Sequence, residues 1–341
     1  MEPRKEDILK AVVREFTVSA TPVGSQSLAS RYFFNLSSAT IRNELSELAD
    51  LGYLVQPHTS AGRVPTDRGY RYFVDFLMDA EPVPGQVRTY IEEELRTAPA
   101  DAQAIVERLA TTVATATQNA AVASAPHGLQ ARVKHIDLVS LEPRDVLLII
   151  LVEGNLIRQQ VLRISRAADQ AELSRVAGKL NRELAGRDRV EVAKRLERVG
   201  EGPEKQLEKE LLERMAAVLA MFEQGAESLV VHDGVRNLLR QPEFTEAARL
   251  HEVLEVLEET RHLAALLQQL VGDSDLQVVI GSENVTSQLR SCAVILTPYG
   301  PSNRLKGVLG VVGPTRMEYG QVLGRLKVAA EAASARMTDL H

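Results

Sequence analysis

The chain has 341 residues, enough for two or three domains. A net charge of −6 argues against a surface covered in basic patches for nucleic acid. The single cysteine, Cys292, excludes an internal disulfide and a cysteine-rich zinc site, and it fits a reducing compartment.

No part of the sequence predicts a membrane segment. The longest apolar run, Val146 to Val152, is far shorter than the ~20 residues that a spanning helix needs. The first residues, MEPRKED, are not followed by the apolar core of a signal peptide. We therefore expect a cytoplasmic protein without a membrane partner.

The first 80 residues differ in composition from the rest of the chain. They contain nine of the 14 aromatic residues, and a small domain needs large side chains to fill its core. They carry nine Lys and Arg against ten Asp and Glu, so most of the net negative charge lies beyond them. The breaker segment EPVPG follows at residues 81–85. Residues 1–80 are therefore predicted to form a domain of their own.

Three helices are predicted at the start of this domain, the third beginning at Ser37 and Ser38 and ending at Gly52. Ile41, Leu45 and Leu48 are spaced to face inward. The opposite face carries an arginine that can bond guanine, an asparagine that can bond adenine, and a threonine. These candidate base-reading residues are Thr40, Arg42 and Asn43. Taken alone, such a face is more often simply solvated.

The segment after the third helix favours DNA binding. Residues 53–56 are typical of a strand, residues 58–63 of a polar loop, and residues 64–65 of a returning strand. Three helices, strand, loop and strand is the order of a winged helix-turn-helix. Three arginines against one aspartate give residues 53–72 a local charge of +2, suited to phosphates or the minor groove. The candidate contacts to the DNA backbone are Ser38, His58, Thr59, Arg63 and Arg68.

Strand patterns occur before and after a largely helical middle. Helices are predicted at residues 67–78, 101–122, 167–222 with a break at 200–203, 251–270 and 321–337. Strands are predicted at residues 135–141, 145–152, 156–164, 276–281, 291–297 and 306–312. The simplest account is an α+β domain from which the chain leaves to build a helical insertion, and to which it then returns.

The insertion carries an apolar stripe at helical spacing. Its residues are Leu207, Leu211, Met215, Val218 and Phe222. Such a stripe can form a dimer contact or pack on its own sheet, and spacing does not decide between the two.

Motifs for catalysis are weak or missing. The glycines at 307, 310 and 313 do not have the spacing of a dinucleotide-binding loop. His251 and Glu252 begin like a zinc-protease motif, but the second histidine of the ligand pair is missing. A winged helix joined to a biotin ligase should show a glycine- and arginine-rich adenylate loop, which the sequence lacks. We therefore expect no enzyme activity, no cofactor and no metal.

Residues 37–45 (SSATIRNEL) and 56–72 (QPHTSAGRVPTDRGYRY) closely resemble the HrcA family, the heat-inducible repressors of bacterial chaperone operons. The resemblance extends to GVVGPTRM at residues 310–317 and covers the whole chain. It implies a winged-helix domain, a GAF-like domain and an inserted dimerising domain. It also implies a homodimer on the CIRCE inverted repeat in double-stranded DNA, with the GroEL chaperonin keeping the repressor active.

Composition, patterns and resemblance together predict an α+β chain divided as follows. The winged-helix domain covers residues 1–80, a linker with connecting helices 81–125, the GAF-like domain 126–166 and 227–341, and the dimerising insertion 167–226. The alternative is a winged-helix repressor whose GAF-like domain binds a small effector, because such pockets carry no fixed motif.

Overall fold

The computed structural model describes residues 1–58, 61–79, 81–128, 132–152, 156–200, 202–224, 230–245, 247–258, 276–302 and 305–339. The fold mixes helices and strands, as predicted. Within these ranges, no helix is both long and apolar enough to cross a membrane. The second half of the helix predicted at 251–270 lies outside the described residues.

The helices of the described ranges, in chain order, are α1 (Pro3–Ser19), α2 (Ser25–Arg31), α3 (Ser38–Asp50), α4 (Asp67–Tyr72), α5 (Gly85–Arg96), α6 (Ala102–Thr117), α7 (Gln170–Leu184), α8 (Arg189–Glu197), α9 (Pro203–Gln224), α10 (Val235–Leu238), α11 (Ala247–Glu258) and α12 (Tyr319–Thr338). A π-helical turn, Phe73–Leu77, extends α4.

The strands are β1 (Leu54–Val55), β2 (Val64–Pro65), β3 (Ala120–Ser124), β4 (His127–Gly128), β5 (Val133–Glu142), β6 (Asp145–Val152), β7 (Leu156–Arg163), β8 (Val230–Asp233), β9 (Gln277–Ile280), β10 (Cys292–Ser302) and β11 (Leu305–Pro314). They form a β1–β2 hairpin, a large sheet in the order β8–β3–β11–β10–β9 with β4 on β11, and a small sheet in the order β5–β6–β7. All of these pairings are antiparallel.

The core of the first 79 residues is continuous with the core behind the large sheet. One cluster of buried side chains includes Leu45 of α3, Ile105 of α6, Leu309 of β11 and Leu326 of α12. The core of residues 1–80 is therefore not isolated from that of the large sheet unit, and a domain boundary near residue 80 stays a prediction. Their aromatic side chains help to build a shared one.

One predicted element changes type along its length. The helix predicted at 101–122 ends at Thr117, because Gln118 takes a left-handed conformation with φ 54°, and residues 120–124 form β3. This alanine-rich strand is buried throughout between β8 and β11. Because alanine favours helices, the local sequence predicts that the helix continues through residues 120–122. These residues form a strand only because β8 and β11 pair with them.

The strands at 133–163 are not part of the large sheet. β5, β6 and β7 pair with one another, and their buried residues form a separate core with α7, α8 and α9. Between β4 and β8 the chain therefore builds a unit of its own and then returns to the large sheet. The unit contains strands as well as helices, however, so the predicted boundary between residues 166 and 167 divides one packed body.

The outer edge of β5 is closed by amide side chains of α7. Asn181 accepts a hydrogen bond from the Ile136 amide and donates one to the Ile136 carbonyl, both at 2.7 Å. Gln170 donates to the Leu138 carbonyl at 2.9 Å and accepts from the Ser140 amide at 2.8 Å. Backbone groups that would otherwise be open to another strand are thus satisfied. Within the described residues, β7 at the other edge pairs only with β6.

The apolar stripe on α9 faces this same core. Leu207 is 1% exposed, Leu211 and Met215 are 0% exposed, and Val218 is 4% exposed. The side chain of Phe222 lies outside what the structure describes. Of the two readings of the stripe, packing on its own sheet is the one observed, and the hypothesis of a dimer contact at these four residues is wrong.

We expect Leu211→Ala to lower the free energy of unfolding of this unit by about 2–5 kcal/mol, because the truncation leaves a cavity in a closed core. Denaturant titration measures the change. Met221→Ala on the same helix is the control: Met221 is 43% exposed, so its truncation should change stability by about 0.5 kcal/mol or less. A loss of self-association without a loss of stability in Leu211→Ala would show that the stripe is a contact surface after all.

Candidate nucleic-acid interface

Helix α3 begins at a serine cap. The Ser37 hydroxyl accepts a hydrogen bond from the Thr40 amide at 3.0 Å and lies 2.8 Å from the Thr40 hydroxyl. This satisfies one of the amide groups that a helix start leaves unpaired. Thr40 is half-buried as a result. Its hydroxyl takes part in the cap, whereas Ser38, one residue into the helix, is exposed.

The two faces of α3 separate as the spacing predicts. Ile41, Leu45 and Leu48 are buried in the shared core, at 0%, 4% and 0% exposure. Arg42 and Asn43 are exposed on the other side. Within the described part of the chain, neither of these two side chains forms a hydrogen bond or an ion pair, so their donors are available to a ligand. The buried face holds the helix in place, and the exposed face presents the Arg42 guanidinium next to the Asn43 amide.

A charged residue on the buried side of α3 was missed from the sequence. Glu44 is 8% exposed, and its carboxylate lies 3.2 Å from the Lys5 ammonium and 3.6 Å from the Arg4 guanidinium, both on α1. Hydrogen bonds to Glu2, Glu47 and Glu44 raise the pKa of Lys5 above its usual value. A glutamate three residues after Ile41 falls on the inward face and needs a cation there. The need of a buried carboxylate for a cation could therefore have predicted an ion pair between Glu44 and a neighbouring helix.

The loop between β1 and β2 is anchored to the segment before α2. The Arg63 amide donates to the Val23 carbonyl at 2.8 Å, and the Val23 amide donates to the Arg63 carbonyl at 2.9 Å. A side chain at Gly62 would collide with the Val23 backbone, so only glycine fits. Arg63 is half-buried, and its Nε has no partner within the described residues. His58 is exposed on the loop, and Thr59 lies outside the described residues.

Arg68 and Arg71 lie away from the loop tip. Arg68 donates to the Leu51 carbonyl at 3.0 Å and lies 4.8 Å above the Tyr53 ring, so it supports the end of α3. Arg71 bonds Glu283 and the Val278 carbonyl in the large sheet unit. The local charge of +2 expected from the sequence is therefore partly neutralised. Residues 53–72 therefore have fewer unpaired cations than the charge count along the sequence indicated.

The exposed residues at the start of α3 and on the β1–β2 loop supply hydrogen-bond donors. Ser38 lies at the N-terminal end of α3, where amide groups and the helix dipole favour phosphate. Arg42 and Asn43 follow in the second turn, where side chains can reach base edges in a major groove. His58 adds a donor on the loop. The groups that this arrangement exposes within the described residues are hydrogen-bond donors and acceptors.

Comparisons with known proteins agree with one another. Residues 103–323 match the family model of the HrcA protein C-terminal domain. A protein of Roseiflexus castenholzii named heat-inducible transcription repressor HrcA is 36% identical over 99% of this chain and 95% of its own length. A protein of the same name from Herpetosiphon aurantiacus is 35% identical over 100% of this chain and 96% of its own length.

A solved structure supports the fold. A crystal structure described as that of a hypothetical protein at 2.2 Å resolution aligns with a TM-score of 0.65 and 22% identity, over 100% of both chains. Identity at this level indicates a shared fold and nothing more. From the family model and the full-length relatives, the chain belongs to the HrcA family.

Proposed function

We propose that this protein represses heat-shock chaperone genes by binding, as a homodimer, the CIRCE inverted repeat in double-stranded DNA. The observation that carries the proposal is that Arg42 and Asn43 are exposed on a helix whose opposite face is buried. Within the described residues, neither side chain forms a hydrogen bond or an ion pair. The relatives' shared name, heat-inducible transcription repressor, agrees with negative regulation of heat-shock transcription.

In this proposal, α1, α2 and α3 with the β1–β2 hairpin act as a winged helix-turn-helix. Helix α3 enters the major groove, where Arg42 bonds guanine and Asn43 bonds adenine. Thr40 lies beside them as a further base contact. Ser38 at the start of α3, with His58, Thr59 and Arg63 on the wing, contacts the DNA backbone. Arg68, which is exposed, is a further backbone contact and also holds the end of α3 through the Leu51 carbonyl. The large sheet and the helices around it form the GAF-like part.

An inverted repeat requires a two-fold protein, and the small sheet offers a surface for one. Its outer face carries Leu147 and Ile149 of β6, both half-buried, and Ile157 and Val161 of β7, which are 57% and 59% exposed. Antiparallel pairing of two β7 strands about Gln159 places Ile157 of one copy beside Val161 of the other. We propose that this edge and face hold the dimer. The dimerising insertion then begins after β4 rather than at residue 167.

Replacing Arg42 or Asn43 by alanine is expected to weaken operator binding by about 1–3 kcal/mol and to relax specificity at one base pair. Gel shifts on an inverted-repeat fragment and on single-base variants measure both effects. Arg88→Ala is the control, because Arg88 is an arginine on α5 paired with Glu92. Undiminished binding in both α3 variants would remove α3 as the recognition helix.

Replacing Ile157 and Val161 together by aspartate should shift the protein toward a monomer, because the charges cannot be buried in a paired face. Sedimentation at several concentrations measures the shift, and operator affinity should fall with it. Val190→Asp is the matched control, since Val190 is 50% exposed on α8, away from the sheet face. A double variant that stays dimeric would move the two-fold contact elsewhere.

We further propose that the GroEL chaperonin keeps the repressor active, and that heat relieves repression when unfolded proteins occupy the chaperonin. Gel shifts on a chaperone promoter, with and without chaperonin and across temperature, test this. Tight, salt-sensitive binding that chaperonin strengthens is the expected result. Binding that is indifferent to chaperonin at every temperature would refute this part while leaving DNA binding intact.

A further inference from the structure

Two sets of polar contacts join residues 1–79 to the large sheet unit. The first lies on α4. The Asp67 carboxylate accepts a hydrogen bond from the Ser282 amide at 2.8 Å. Arg71 donates to the Glu283 carboxylate at 2.8 Å and to the Val278 carbonyl at 2.5 Å. Charge-assisted hydrogen bonds of this kind are directional, so they set an angle as well as a distance.

The surroundings of Asp67 and Glu283 favour these hydrogen bonds. Gly281 has φ +54°, and a side chain there would collide with the Asp67 carboxylate. Burial alone would raise the pKa of Glu283, but hydrogen bonds from Arg71 and from the Ile280 amide more than offset it and hold the pKa below its usual value. The carboxylate therefore stays charged opposite Arg71.

The second set of contacts is made by Arg316, which follows β11. Its guanidinium donates to the Thr17 carbonyl in the last turn of α1 at 2.9 Å. It also donates to Gln241 at 2.7 Å and pairs with Glu243. The Arg316 side chain is only 12% exposed. We call Asp67, Arg71 and Arg316, with these partners, the clamp.

The clamp contacts two elements that are bonded to α3. At its start, α4 is bonded to the end of α3, because Thr66 donates to the Gly52 carbonyl at 2.7 Å and Arg68 to the Leu51 carbonyl at 3.0 Å. Helix α1 is tied to α3 by the Lys5–Glu44 ion pair. Between the two sets of contacts, the rings of Tyr70 and Tyr319 pack with their centroids 6.0 Å apart. The direction of α3 is thus fixed relative to the large sheet.

We propose that Asp67, Arg71 and Arg316 set the spacing between half-sites that this protein accepts. The inference rests on the proposed binding of an inverted repeat by a dimer. Each base pair added between half-sites turns one of them by about 35° around the DNA axis, since one turn takes about 10–10.5 base pairs. Two α3 helices held rigidly cannot follow that rotation. Two loosely held modules can follow it, but they lose the fixed orientation that favours the correct spacing.

The test uses the full chain and three kinds of DNA. These are a chaperone-promoter inverted repeat, the same repeat with one or two base pairs added or removed between half-sites, and a single half-site. Unchanged protein should bind the altered spacings about tenfold or more weaker than the native one. The R71Q/R316Q double variant should lose most of that preference. Its half-site affinity should stay within about twofold of the unchanged protein.

Arg108→Gln is the matched control. Arg108 is a surface arginine on α6 paired with Glu94 on α5 at 2.7 Å, so its loss removes an ion pair outside the clamp. It should leave the spacing preference as it was. Half-site binding reports whether the DNA-binding module of each variant is folded.

Two outcomes overturn the inference. If R71Q/R316Q keeps the full spacing preference, the clamp does not set it. If half-site affinity falls as much as affinity for the repeat, Arg71 and Arg316 support the module itself. Unchanged protein that prefers no repeat over a half-site refutes the proposed function, and that result is visible before any variant is made.

Discussion

The apolar core shared by the first 79 residues and the large sheet is the constraint on which the rest of the structure depends. Leu45 of α3 and Leu326 of α12 belong to the same buried cluster, so the exposed face of α3 is oriented by contacts far from it in sequence. A recognition surface of this kind is only as well placed as the body beneath it. Apolar packing holds the two units together without much directional preference. The directional polar contacts of Arg71 and Arg316 then set their relative orientation.

Local patterns predicted those parts of the fold whose partners are near in sequence. The inward face of α3, the limits of β5, β6 and β7 and the last helix follow from spacing and turns. Sheet membership did not follow, because strand pairing is non-local: β3 joins β8 and β11, more than 100 residues later. An apolar stripe such as that on α9 says only that something covers it, and here the cover is its own sheet.

The candidate interface was predictable to a similar degree. Arg42 and Asn43 are exposed where helical spacing puts them, whereas Arg71 is turned away from the loop and bonded to Glu283. Counting charges along the chain cannot show which of them are paired across it. With few unpaired cations near α3, non-specific attraction to DNA should be modest. In the proposed function, selectivity then depends on base contacts and on two copies acting together.

The amide side chains of Asn181 and Gln170 along β5 have a consequence for assembly. A sheet with two open edges can add copies at both ends and grow into a fibre. Here one edge is already satisfied from within the chain, so the proposed pairing of two β7 strands would occupy the edge that remains. Such a sheet closes after a single association, and polymerisation through it stops at two chains.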